Sequence, residues 1–252
     1  MAPMPQNTQR PPPLCPAWVF SNHSDTHVVK DRHWFGKDYI PFRSYVTDIA
    51  GGSVEVIGMG TVNLATMRSP TQTDSDTDGS LHLKNVLHTP AILCNIIGSP
   101  VTDDYIITWG GPPSSDKSGE IMSKSGRTVA YFKPMGQGPS LYQVQLSDPP
   151  FGHQFGISPL LRNGLYMIHA FWPQSERQRF AILKASGLIR ASGVEPLTQS
   201  ESGWFKRRHM SENAILVEYG LDKKREEHQE EGRAIMRILK SHAENAQSPH
   251  SR

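Results

Sequence analysis

Between residues 17 and 147 the chain alternates short runs of β-branched and aromatic residues with turn-forming residues, the pattern of a small sheet with one buried face. The runs fall at 18–20, 42–49, 54–57, 61–64, 81–87, 105–109, 120–123, 128–132 and 141–146. Gly51-Gly52 separates two of them and supplies the positive φ that a tight hairpin needs. The polar stretch 67–80, MRSPTQTDSDTDGS, interrupts a further hairpin and reads as a loop tip. Asp74, Asp76 and Asp78 have the spacing of a calcium loop, but no glutamate closes the coordination sphere, so no metal is assigned there.

After residue 147 the period changes. The stretch 148–200 reads as a linker carrying one short helix over 175–185, which begins after Pro173 and stops at Gly187. Helical patterns follow at 201–209, at 211–219 with Gly220 as the stop, and from Asp222 to about Asn245. In the last of these Ile235, Ile238, Leu239 and His242 share one face, and Arg233, Arg237 and Lys240 sit where a helix dipole favours cations. The fold expected is therefore α+β: a β-rich domain over 17–147 with an α-helical C-terminal extension over 201–246. Residues 1–16 read as a disordered proline-rich arm, whose Pro11-Pro12-Pro13 favours polyproline II, and 247–252 as a disordered tail.

Composition narrows the function classes. Apolar residues make up 37% of the chain, with 20 prolines and 21 glycines, which suits short strands joined by many turns. A net charge of +2 gives no strong pull toward nucleic acid or an anionic membrane. The basic triplets Lys206-Arg207-Arg208 and Lys223-Lys224-Arg225 lie beside glutamates and read as solvated helix faces. No apolar run approaches the length of a membrane span and no secretory leader is visible, so an intracellular protein is expected. Cys15 and Cys94 are too few for a disulfide framework and read as free thiols, the second of them buried.

Three stretches carry a family resemblance. The segment 18–27, WVFSNHSDTH, is similar to the pattern Trp, two apolar residues, Asp-Ser-Gly-Ala-Ser, one variable residue and His. Trp18, Val19, Phe20 and His27 match it, while Ser21, Asn22 and His23 occupy the Asp-Ser-Gly positions. The segment VIGMGTVNL at 56–64 and the segment LHLKNVLHTPAILCNIIGSPV at 81–101 follow in the same order, and Asn95-Ile96-Ile97-Gly98 is similar to a run near the end of retroviral proteases. Together they resemble the protease-type β-barrel of copia-type retrotransposon Pol polyproteins. The resemblance implies a retropepsin-like barrel, and a fold by itself implies no activity.

Aspartic peptidases need two carboxylates sharing one proton, and retropepsin-type domains supply one per chain, so they dimerise. Ser21 cannot ionise, and His23 puts a large side chain where the family pattern has none, so the resemblance implies a pseudoenzyme with no catalytic residue. Asp25, four residues on and followed by Thr26, is the one candidate to replace the lost carboxylate, in an active homodimeric endopeptidase. His23, His27 and His33 with Asp25 and Asp31 crowd one loop, but not with the spacing of a helical zinc motif, and no metal or other cofactor is assigned. Ser21 with His23 lacks an orienting acid and oxyanion donors. The partners implied are a second copy through the old dimer surface, or a peptide or protein held by strand addition in the former cleft. A nucleic-acid-associated Pol remnant is the third reading.

Overall fold

The structure is a computed structural model, and it describes residues 12–71, 77–110, 116–135, 140–187, 189, 197–219 and single positions between 221 and 244. Asp74, Asp76, Gly220, Asp222, Lys224, Arg225, Ile238 and His242, the arm before Pro12 and the tail 247–252 lie outside the described residues.

The strands fall close to where the alternation places them. β1 (Trp18–Ser21), β2 (Val28–Val29), β3 (Ile40–Thr47), β4 (Ser53–Met67), β5 (Asp78–His88), β6 (Asn95–Gly98) and β10 (Tyr142–Gln143) form a seven-stranded sheet in the order β10-β1-β6-β2-β5-β4-β3. The short helix α1 (Val101–Asp104) leads into a three-stranded sheet of β7 (Tyr105–Trp109), β8 (Gly119–Ser123) and β9 (Thr128–Phe132). Most neighbours are antiparallel, but β1 lies parallel to β6 with Ser21 opposite Gly98, and β2 lies parallel to β5. The segment after β10 runs between the two sheets, bridging Phe132 of β9 at Val144 and Thr66 of β4 at Leu146. Both sheets are open: among the described residues the strands do not close into the expected barrel, and the result is a strand-rich mixed α/β fold.

Local chemistry explains the joints. The β3–β4 hairpin turns at Gly51, whose φ is +83°, while the Asp48 carboxylate accepts the amides of Ala50 and Gly52. The two apolar runs at 54–57 and 61–64 are one strand, which bends at a register shift between Gly60 and Val62. In β5, Leu81 and Leu83 are buried between exposed Ser80, His82 and Lys84. Trp18, Leu64, Leu81, Leu83 and Phe132 pack between the sheets, each fully buried. Each such side chain contributes roughly 1.5–3 kcal/mol.

The C-terminal half corrects two expectations. Residues 148–200 are not a mere linker: Ala170, Trp172, Phe180 and Ile189 pack with Val28, Phe42, Val46 and Ile96 into a second core. There α2 (Gln174–Ala185) lays Phe180 on Phe42, ring centres 4.6 Å apart. The end of the arm is ordered too. Leu14 and Cys15 are buried, and Leu14 exchanges backbone hydrogen bonds with Gln154 and Gly156. Helices α3 (Gln199–Arg207) and α4 (Glu212–Glu218) pack Phe205, Ile215 and Leu216 with Ile235 and Met236 in a separate cluster. A Thr198–Glu201 capping box opens α3 and satisfies two of its amides. Among the described residues no helix is long and apolar enough to cross a membrane.

Candidate functional site

The segment joining β1 to β2 carries the residues that the family pattern singles out. Its position is set by the parallel pairing of β1 with β6, which holds the loop against Gly98. A Cβ on Gly98 would lie 2.2 Å from the Thr26 carbonyl oxygen, so only glycine fits this crossing. The Ser99 amide donates to the Ser24 carbonyl at 2.7 Å, and the Gly98 amide donates to His27 Nδ1 at 3.0 Å. That second bond makes Nδ1 an acceptor and places the ring proton on Nε2. Burial holds His27 neutral, with its pKa lowered to about 4.

An extended strap over 166–172, far along the chain, lies across this loop. Ser21 is buried, and its Oγ donates to the Ile168 carbonyl at 2.8 Å. The Ser24 Oγ donates to Ser21 Oγ at 3.0 Å and accepts the Ala170 amide at 3.0 Å. Two hydroxyls in series thus join the amide of Ala170 to the carbonyl of Ile168, and each donates its single proton once. The Asp25 amide donates to the Ala170 carbonyl at 3.1 Å, and the Asp25 carboxylate accepts the Trp172 amide at 2.8 Å. Arg177 of α2 completes the latch with a 2.9 Å ion pair to Asp25 Oδ2 and a 2.9 Å bond to the Asp25 carbonyl. On the opposite side Thr47 and Phe171 exchange backbone bonds of 2.8 and 2.9 Å, so the strap also adds to the outer edge of β3. Trp172 anchors the end of the strap, donating from Nε1 to Ser44 Oγ at 2.9 Å.

The sequence-selected residues therefore separate. Ser21 is in the hydroxyl relay, Asn22 is exposed, and the exposed His23 meets the His169 ring of the strap with centres 5.5 Å apart. Asp25 is held by Arg177 through its carboxylate and its backbone carbonyl, so both its charge and its main chain are engaged inside this one copy. Of the other loop candidates, Asp31 accepts the Cys15 amide at 2.8 Å and His33 packs on His153 with ring centres 4.3 Å apart. Among the described residues no three histidine, cysteine or acidic side chains converge as a metal site. Cys15 and Cys94 are buried free thiols, and burial pushes the Cys94 thiol up to about 12.

Reading the chain did not find Ser24, His169, Ala170, Trp172 or Arg177. The strap has no helical period and only seven residues, so no local pattern ties it to a loop about 147 positions earlier. One signal was present: an aromatic and apolar run ending in Trp-Pro before a helix, which is rich for a linker. A cavity of about 180 Å³ remains beside the strap, between Val46, Val54, Ile92, Ile96, Met167 and Ile168. Compared with known proteins, the chain matches no family model, no curated protein and no solved structure.

Proposed function

We propose that this chain is a transposon-derived, copia-type Pol protease-like module of retropepsin descent that has lost catalysis and works by binding extended chain segments, its own strap among them. The observation that carries this reading is the Ser21 hydroxyl at the position of the family's carboxylate, donating to the Ile168 carbonyl. An ionised aspartate there would have no proton to give and would set two oxygen lone pairs against each other. The strap and a catalytic carboxylate therefore exclude one another, and the serine suits the strap.

Three further features support the reading. The motif-bearing strands β1 and β6 lie side by side, with Trp18 opposite Asn95 and Phe20 opposite Ile97. Asp25, the candidate replacement, spends its carboxylate on Trp172 and Arg177. The loop and the β3 edge hold an extended segment by backbone bonds, as strand-addition modules hold peptides.

The test is a peptidase assay on the purified chain at mildly acid pH, using a diverse peptide library. It runs beside Asp25→Asn and the triple reversion Ser21→Asp, Asn22→Ser, His23→Gly. The expected result is no cleavage by the natural chain. Cleavage that Asp25→Asn abolishes would replace this reading with that of an active aspartic endopeptidase. Steeply salt-dependent binding of the chain to DNA or RNA would point instead to a nucleic-acid role.

A further inference from the structure

The strap is held almost wholly by its own backbone and a few seats: the amides or carbonyls of Ile168, Ala170, Phe171 and Trp172 all bond to residues 21–25 or 47. Its side chains alternate, with Tyr166, Ile168 and Ala170 turned inward and Leu165 and Met167 turned out. This is the arrangement of an added strand, and an added strand makes the same bonds whichever copy of the chain supplies it.

The segment that feeds the strap has the form of a hinge. Backbone bonds to Leu14 fix 154–156, and Leu160 is buried, so the chain is pinned up to that point. From Leu161 to Leu165 it turns back on itself. The Gly164 amide donates to the Leu161 carbonyl at 3.0 Å, and the Leu161 amide donates to the Tyr166 hydroxyl at 2.6 Å. The turn leaves apolar side chains bare: Leu161 is 70% exposed, Leu165 101% and Met167 73%. Five of the thirteen exposed large apolar side chains among the described residues fall between 151 and 167. A covering surface would take these side chains out of water, which favours it.

We infer that this chain forms a strap-exchanged homodimer, in which 166–172 and α2 of each copy seat on the 21–25 loop and β3 edge of the other. The inference rests on the binding reading above and names the second copy as the occupant. A second copy is favoured because groove and strap are complementary by construction, so exchange keeps the strap's bonds to the 21–25 loop and β3 and gives up only the turn bonds of the hinge, Gly164 to Leu161 and Leu161 to Tyr166. Five extended residues reach about 17 Å, enough to pass between two adjacent copies. Two opened hinges running past each other at the twofold axis would cover Leu161, Leu165 and Met167, which the closed form leaves in water.

The experiment measures mass by light scattering on the full chain across a concentration series. Deleting Arg162 to Gly164 removes the turn and is expected to raise the dimer fraction at least tenfold at fixed concentration, while inserting a Gly-Ser repeat after Asn163 lowers it. A Ser24→Cys, Ala170→Cys pair, oxidised in dilute solution after equilibration at high concentration, is expected to give a covalent dimer on a non-reducing gel. A natural chain and a shortened chain that both remain monomeric, with the cysteine pair closing only within one copy, would overturn the exchange. A labelled peptide of residues 166–172 added to the Ala170→Arg chain separates the two readings. If it binds, the groove survives the loss of the dimer; if it does not bind, the binding reading falls as well.

Discussion

Asp25 and Arg177, 152 positions apart, form the latch that closes the strap over the loop: the guanidinium bonds both the carboxylate and the backbone carbonyl of the same aspartate. The guanidinium also donates from Nε to the Trp172 carbonyl at 2.9 Å and lies over the indole ring, 5.0 Å from its centre. A single side chain therefore ties the loop, the strap and α2 together. Asp25→Ala removes both the ion pair and the acceptor for the Trp172 amide, while Asp25→Asn removes only the charge. Because the aspartate is about half exposed, the charge is worth about 1 kcal/mol after solvent screening. Urea melts should place Asp25→Asn between the natural chain and Asp25→Ala, and a double-mutant cycle with Arg177→Ala should return the coupling.

Ser21 tests whether the hydroxyl relay holds the strap. Ser21→Ala removes a donor and should cost about 1–2 kcal/mol, since the Ile168 carbonyl and the Ser24 hydroxyl both lose a partner. Ser21→Asp should cost more at neutral pH, because its charge faces a carbonyl oxygen. Limited proteolysis within 161–172 reads this directly. Faster cutting in Ser21→Asp than in Ser21→Ala is expected, and equal rates would show that the hydroxyl relay does not hold the strap.

Acid should unfold the protein earlier than its carboxylates alone would. Burial lowers His27 to about 4, and burial followed by the nearby Arg32 charge lowers His88 to about 3. The Tyr39 hydroxyl lies 2.8 Å from His88 Nδ1. Between those values and the ordinary imidazole pKa near 6.5, the unfolded chain binds protons that the folded chain refuses, so stability rises with pH. The contribution is fully present above about pH 6.5 and is lost as the pH falls through about 4 and then about 3, roughly 3 kcal/mol for His27 and roughly 5 kcal/mol for His88. Urea melts at a series of pH values should show a positive slope in that window, and His27→Gln should flatten it. A peptidase assay belongs above pH 5 for the same reason.

Gly98 should tolerate no side chain. In Gly98→Ala the new Cβ would meet the Thr26 carbonyl oxygen at 2.2 Å, against backbone that cannot rotate away. A loss of about 3 kcal/mol or more is expected, read as a drop in melting temperature. A melting temperature unchanged from the natural chain would mean that the loop at Ser24–Thr26 does not cross Gly98 this closely.

The two thiols should be silent in the folded state. Burial raises the Cys15 pKa and takes Cys94 to about 12, so little thiolate exists near neutral pH. A chromogenic disulfide reagent should titrate neither cysteine until denaturant is added, and then both.

The apolar alternation of 17–147 and the turn residues between its runs determined the strands, because a half-buried strand imprints its period of two on its own residues. The caps did the same for the helices: Thr198 and Ser211 accept the amides that open α3 and α4, a local interaction visible in a few adjacent letters. The sequence also settled that no carboxylate stands at position 21. It did not show which groups the Ser21 hydroxyl bonds. Whether the strands close into a barrel depends on twist and on which edges pair, and neither is written in any one segment. That Ala170 sits on Ser24, that Arg177 latches Asp25 and that Leu14 belongs to the core are contacts between residues more than a hundred positions apart. Such contacts are selected by complementary backbone groups and volumes that meet only after the chain has folded, and so the tertiary structure alone decided them.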